Sequence, residues 1–103
     1  VPAVPAFSLT AYPNPFSAFT NIRAEIPARG DRGAEAINTA RIVIYNLRGQ
    51  MVRAMELDPG VRQQVLTWDG RDSRNQRCSN GIYFLNLVVD GRSIISKKVT
   101  LIR

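Results

Sequence analysis

The stretch TNIRAEIPA (Thr20–Ala28) decides the fold class. Ile22, Ala24 and Ile26 fall on one side of an extended chain, with Asn21, Arg23 and Glu25 on the other. That period of two predicts a half-buried strand, which Pro27 ends. Outward from it the same rhythm recurs. ARIVIYNL (Ala40–Leu47) is rich in β-branched residues and aligns Ala40, Ile42 and Ile44. NLRGQ (Asn46–Gln50) reads as a hairpin turn in which Gly49 takes a positive φ, and MVRAMEL (Met51–Leu57) returns as the partner strand. After the turn DPG (Asp58–Gly60), VRQQVLTW (Val61–Trp68) places Gln64, Leu66 and Trp68 on one face. A polar turn region, DGRDSRNQRCSNG (Asp69–Gly81), separates this from IYFLNLVV (Ile82–Val89). DGR (Asp90–Arg92) turns the chain into SIISKKVTLI (Ser93–Ile102). With a first strand near FSLTAY (Phe7–Tyr12), the count is seven short strands and no convincing helix. The expectation is an all-β antiparallel sandwich. Its predicted core is Ile22, Ala24, Ile26, Ile42, Ile44, Val52, Leu66, Trp68, Tyr83, Leu85, Leu87, Val99 and Leu101.

AYPNPF (Ala11–Phe16) breaks the rhythm early. Pro13 and Pro15 fix their own φ and remove two backbone donors. They also push Tyr12 and Asn14 toward extended conformations. The segment is expected to be a stiff edge or crossover, with Tyr12 and Phe16 as hydrophobic pins. A second interruption, Ala28–Thr39, is a polar loop in which Ala34–Ile37 suggests a helical turn. It contains the tripeptide RGD (Arg29–Asp31), which such a loop produces easily by chance.

At 103 residues the chain is one domain, large enough for a real core. VPAVPA (residues 1–6) lacks the basic and apolar regions of a signal peptide and reads as a linker, leaving 7–103 as the folded unit. The chain is therefore expected to be a piece of a longer protein. No apolar run approaches the roughly 18 residues that span a bilayer. The net charge of +6 comes from 12 Arg and 2 Lys against 8 acids. That balance is compatible with an anionic partner, but the arginines are scattered as on a solvated surface. Their closest grouping is Arg71, Arg74 and Arg77.

Chemistry-bearing constellations are sparse. The absence of histidine removes the commonest general base and metal ligand. No catalytic, cofactor or metal residues are expected. Asp69 and Asp72, beside Trp68, suggest a carboxylate pair. Their frame WDGRD is built of turn formers, and an Asp there ordinarily accepts backbone N–H bonds. The acids do not match a calcium loop. The one cysteine, Cys78, has no partner for an internal disulfide and is expected to point into the core. Trp68, Tyr83 and Phe84 offer a stacking surface for sugars only if exposed. Their spacing places Trp68 and Tyr83 in the core, with the Tyr83 hydroxyl tied back to the preceding loop.

Taken together, YPNPF, TNIRAEIP, IVIYNLRGQMVR, WDGRDSRNQRCSNGIYF and KKVTLIR resemble the C-terminal sorting domain of the type IX secretion system. That family is similar to the immunoglobulin-like domain of flagellar hook-capping proteins. The resemblance runs from Phe7 to Arg103. It rests on Pro13, Asn14, Pro15 and Phe16, on Thr20 to Ile22, and on Ile44–Asn46 with Gly49. Further blocks are Trp68–Asp72, including Gly70, then Asn80–Tyr83 with Gly81, and Lys97–Ile102. Asn75 stands where glycine is usual and Cys78 where an aliphatic residue is usual. Ala28–Thr39 is longer than typical.

The resemblance implies an immunoglobulin-like sandwich with no active site, acting as a non-catalytic tag on an N-terminal cargo domain. It implies export across the outer membrane by way of the periplasm of a Gram-negative-type bacterium, to the medium or the cell surface. The implied partners are an outer-membrane translocon, a sortase-like peptidase and, for some cargo, anionic lipopolysaccharide; nucleic acid is not among them. Pro13–Phe16 would mark the boundary where linker becomes folded tag. The closing strand, Lys97, Lys98, Val99, Thr100, Leu101, Ile102 and Arg103, would be the element read. Its edge, with free N–H and C=O groups, would dock by strand addition, and Lys97 and Lys98 would guard it against aggregation. The alternatives are a passive structural or spacer module of a secreted hydrolase or surface protein, and a carbohydrate-binding module.

Overall fold

The computed structural model describes residues 7–27 and 37–103. Seven strands follow in chain order: β1 (Ser8–Tyr12), β2 (Thr20–Glu25), β3 (Ala40–Tyr45), β4 (Met51–Leu57), β5 (Gln63–Trp68), β6 (Gly81–Val89) and β7 (Arg92–Leu101). They form two antiparallel sheets, ordered β1-β2-β5 and β4-β3-β6-β7. The arrangement is an immunoglobulin-like sandwich in which β4 joins the larger sheet. The linker reading of residues 1–6, the RGD tripeptide and most of the suggested helical turn at Ala34–Ile37 lie outside the described residues.

The alternation in the sequence becomes the core. On β2, Ile22 and Ala24 are buried, and Ile26 continues the inward phase beyond the strand end. Cross-strand register stacks Ile22 against Leu66 in the small sheet, and Ile42 against Leu87 and Ile44 against Leu85 in the large one. Val99 and Leu101 are fully buried on β7. Each such side chain contributes about 1.5–3 kcal/mol by leaving water. Of the expected core, Val52 and Leu66 are partly buried and packed against it. Leu9, Phe16, Ala40, Leu57 and Val89 join it as well. Val43, on the opposite face of β3, is also buried.

The turns follow the expected chemistry. Gly49 has φ 78° in the β3–β4 hairpin, and Asn46 Oδ1 accepts the N–H groups of Arg48 and Gln50. Asp58 Oδ1 accepts the Gly60 N–H. Asp90 and Gly91 both take positive φ, the primed geometry that matches strand twist in a two-residue hairpin. The Asp90 carboxylate also accepts the N–H groups of Asn38 and Thr39, pinning the start of β3 to the β6–β7 turn.

Leu101→Ala removes a fully buried side chain at the end of the last strand. It is expected to cost about 2–5 kcal/mol, read as a lowered urea midpoint with an unchanged m-value.

Candidate functional site

The closing strand occupies one edge of the large sheet. In an antiparallel ladder, alternate residues turn both backbone groups toward the neighbour or away from it. On β7 the residues facing away are Ser96, Lys98 and Thr100. Most of the outward groups from Lys98 onward are already taken. Asn14 Nδ2 donates to the Lys98 carbonyl at 3.0 Å, and Asn14 Oδ1 accepts the Thr100 N–H at 3.0 Å. The Phe16 N–H donates to the Thr100 carbonyl and the Phe16 carbonyl accepts the Ile102 N–H, each at 2.9 Å. One side-chain amide and one backbone residue thus act as a short parallel strand against β7. The expected open edge is therefore corrected. Beyond Lys98 it is closed by the chain's own Pro-Asn-Pro-Phe segment. The Ser96 backbone groups and the Lys98 N–H keep no partner among the described residues.

The clamp is held from below. The peptide bonds before Pro13 and Pro15 are both cis. Thr20, fully buried at the head of β2, donates its hydroxyl to the Pro13 carbonyl at 2.8 Å. Phe16 is buried, its ring 5.3 Å from that of Trp68, and Trp68 meets Tyr83 edge-on at 5.3 Å. Such aromatic pairs add to the burial energy by about 0.5–1.5 kcal/mol. Tyr12 does not serve as the second pin: it is 80% exposed, because its side chain falls on the outer face of β1. Trp68 is fully buried and Tyr83 nearly so, so neither can stack on a sugar.

A second device receives the end of the strand. Arg103 N–H donates to Asn80 Oδ1 at 3.0 Å, and Asn80 Nδ2 donates to the Arg103 carbonyl at 3.3 Å. The Arg103 guanidinium donates to the carbonyls of Cys78 and Gly70, at 2.6 and 3.1 Å. Gly70 is favoured here by its backbone, and a side chain on it would displace the Arg103 guanidinium. Its φ is +75°, and a Cβ at this position would lie 2.6 Å from Arg103 Nη2. The turn region that builds this socket is ordered by its own acids. Asp69 Oδ1 accepts the Arg71 N–H, and Asp72 Oδ1 accepts those of Arg74 and Gln76. Asn75 has φ 65°, as its substitution for glycine requires. Trp68 Nε1 donates to the Arg71 carbonyl, and the Tyr83 hydroxyl donates to the Ser79 carbonyl at 2.7 Å. Cys78 is half-buried. Burial foremost, then the neighbouring Asp72 carboxylate, push its thiol above the ordinary range, against an opposing pull from Arg103.

The structure brings Pro13–Phe16, Gly70 and Gly81 to the closing strand; Gly81 sits opposite Leu101. Asp69 and Asp72 belong to the socket turn. Gly49 lies in the hairpin at the opposite edge of the sheet and takes no part. Lys97 and Lys98 differ in orientation. Lys97 is opposite the buried Leu85 and so points along the inner face at an open edge, whereas Lys98 faces outward. An inward charge on an edge strand blocks pairing with another sheet.

Thr20 and Asn80 stand in the motif blocks of the sequence, but their bonding roles are not read from it. Thr20 carried a signal, since it falls in phase with Ile22, Ala24 and Ile26, and a polar group on a core face needs a partner. Asn80 is marked only as part of its motif block, and nothing local shows its bonds to Arg103, which lies 23 residues away.

Asn14→Ala removes two hydrogen bonds to β7 while leaving the core intact. A loss of about 1–2 kcal/mol is expected, with hydrogen exchange at the Thr100 amide, which loses its bond to Asn14, accelerated more than at the Leu85 amide, which follows global stability. Gly70→Ala is expected to destabilise by about 1 kcal/mol or more through its positive φ and to shift the Arg103 Nε–Hε resonance as the guanidinium leaves the socket.

No curated protein matches the chain in sequence. Among solved structures, the fold is similar to dimeric latent PorU from Porphyromonas gingivalis, with a TM-score of 0.75 and 18% identity over 97% of this chain and 10% of that one. PorZ, a bacterial surface component of the type-IX secretion system of the same organism, gives a TM-score of 0.60 at 19% identity, over 93% of this chain and 12% of that one. The alkylpurine DNA glycosylase AlkC of Pseudomonas fluorescens gives 0.56 at 17% identity, over 93% of this chain and 29% of that one. The chain thus spans a small part of each, and at these identities the likeness is one of fold. The family model for the secretion system C-terminal sorting domain matches residues 10–102, from within β1 to just past the end of β7, and the chain belongs to that family.

Proposed function

We propose that this domain directs an attached N-terminal cargo to the type IX export machinery, non-catalytically, by presenting the closing strand as part of a folded edge. The family match across residues 10–102 supports the sorting role and a secreted or cell-surface destination for the cargo. The geometry that supports the mode of recognition is the short run around Ser96 and the Lys98 N–H, open to strand addition directly beside the Asn14 clamp. In this reading the translocon pairs with that run. Pro13–Phe16 marks where linker meets tag and also closes the rest of the edge. The finer steps belong to the same proposal: passage through the periplasm and outer membrane, removal by a sortase-like peptidase, and retention of some cargo on anionic lipopolysaccharide.

Deleting Lys97–Arg103 removes the core residues Val99 and Leu101 together with the edge, so loss of export alone does not identify the recognition step. Ser96→Pro is the sharper change. The Ser96 N–H points away from β6, so a proline there leaves the ladder intact while blocking an incoming strand. With the chain fused to a reporter in a host carrying the machinery, the deletion and Ser96→Pro are both expected to leave the reporter inside. Lys98→Ala is expected to export normally. Normal export of a folded Ser96→Pro fusion overturns edge pairing, and normal export of the deletion overturns the sorting role of the strand.

A further inference from the structure

Between the Asp69–Asn80 turn and the loop after Phe16 lies an open cleft of about 280 Å³ lined by Arg71, Arg77, Arg103, Ser17, Ala18 and Asp69. Three arginines line it beside one acidic side chain, Asp69, and the Asp69 carboxylate is also bonded to Arg53 at 3.3 Å. Two of the three are held in place by backbone carbonyls: Arg71 Nη1 by Asn75, Arg103 by Gly70 and Cys78. Arg71 Nε lies 3.9 Å from Asp69 Oδ2. Arg77 has no hydrogen-bond or ion-pair partner among the described residues. Side chains fixed before a ligand arrives lose less entropy on binding it. The forked guanidinium suits a tetrahedral oxyanion better than a point charge would.

We infer that this cleft is a binding site for a phosphate group, with Arg77 as its free arm and Arg71 and Arg103 as its preset walls. Like charges gathered around one cavity repel each other, and a dianion relieves that repulsion. The site stands independently of the export reading. Arg74 lies in the same turn but lines a different cavity, on the β4 side, with Asp72, Gln50 and Met51. It therefore serves as an internal control.

The test is a titration of the full chain with inorganic phosphate at constant ionic strength, followed by the Arg Nε–Hε and backbone amide resonances. Constant ionic strength separates binding from screening. Saturable shifts are expected at Arg71, Arg77 and Arg103, and at the Ser17 and Ala18 amides. Arg77→Gln is expected to weaken the apparent affinity about tenfold, the loss of a charge-assisted fork, without lowering the unfolding midpoint. Arg74→Gln is expected to leave the affinity unchanged. A parallel arm uses vesicles containing a phosphatidic acid headgroup and competes them with free phosphate. Capture that depends on Arg77 and yields to phosphate extends the site to lipid-borne phosphate. Capture without Arg77 dependence restricts the site to soluble phosphate, provided the first arm saturates. Non-saturating shifts spread over all arginines, or equal effects of Arg74→Gln and Arg77→Gln, overturn the proposal.

Discussion

The carboxamide of Asn14 stands in for a strand. With its oxygen on the Thr100 N–H and its nitrogen on the Lys98 carbonyl, it reproduces the pair of bonds that a neighbouring backbone would make. The two bounding prolines have no N–H to leave unsatisfied in so tight a crossover, and the Thr20 hydroxyl takes up the Pro13 carbonyl. From that one contact the rest is arranged. Phe16 drops onto Trp68, Trp68 meets Tyr83, and the crossover from the small sheet to the large one is fixed. The end of β7 then arrives where Asn80, Gly70 and Cys78 can hold Arg103.

This arrangement bears on how a sorting domain is recognised. The residues that end the chain are core and ladder, with Val99 and Leu101 fully buried. The closing strand is therefore a folded edge of the large sheet, not a free tail. That edge is short, is bounded on one side by the clamp, and carries one lysine on each face. Lys97 on the inner face discourages sheet-to-sheet association of the domain, while the backbone groups of Ser96 face away from β6.

Similarity to PorU and PorZ at 18% and 19% identity shows how little sequence the sandwich needs. Alternation, turn residues and a few side chains bonded to backbone suffice, because each strand face asks only for an apolar residue of suitable volume. The Asp69–Asn80 turn is the more specific part. Asp69 and Asp72 accept its own N–H groups and Arg71 donates to its own Asn75 carbonyl, while the guanidiniums of Arg74 and Arg77 keep no partner among the described residues.

Much of the architecture was legible in the residues. The period of two around Ile22, Ile42 and Leu85, the turn chemistry of Gly49, Asp58 and Asp90, and the left-handed Asn75 are local properties, governed by neighbours within a few positions. Those features determined seven strands, an all-β class and most of the core. The motif blocks determined the family. Tertiary structure alone decided which edge stays open. The Asn14 bonds span 84 and 86 residues and the Arg103 socket spans 23 to 33, and no local pattern encodes which distant backbone groups a side-chain amide will meet. The same reason explains Tyr12 and Phe16, two aromatic residues flanking the same prolines, one left in solvent and one in the core. Pairing of β1 with β2, and of Phe16 with Leu101, sets which side of the crossover each ring faces.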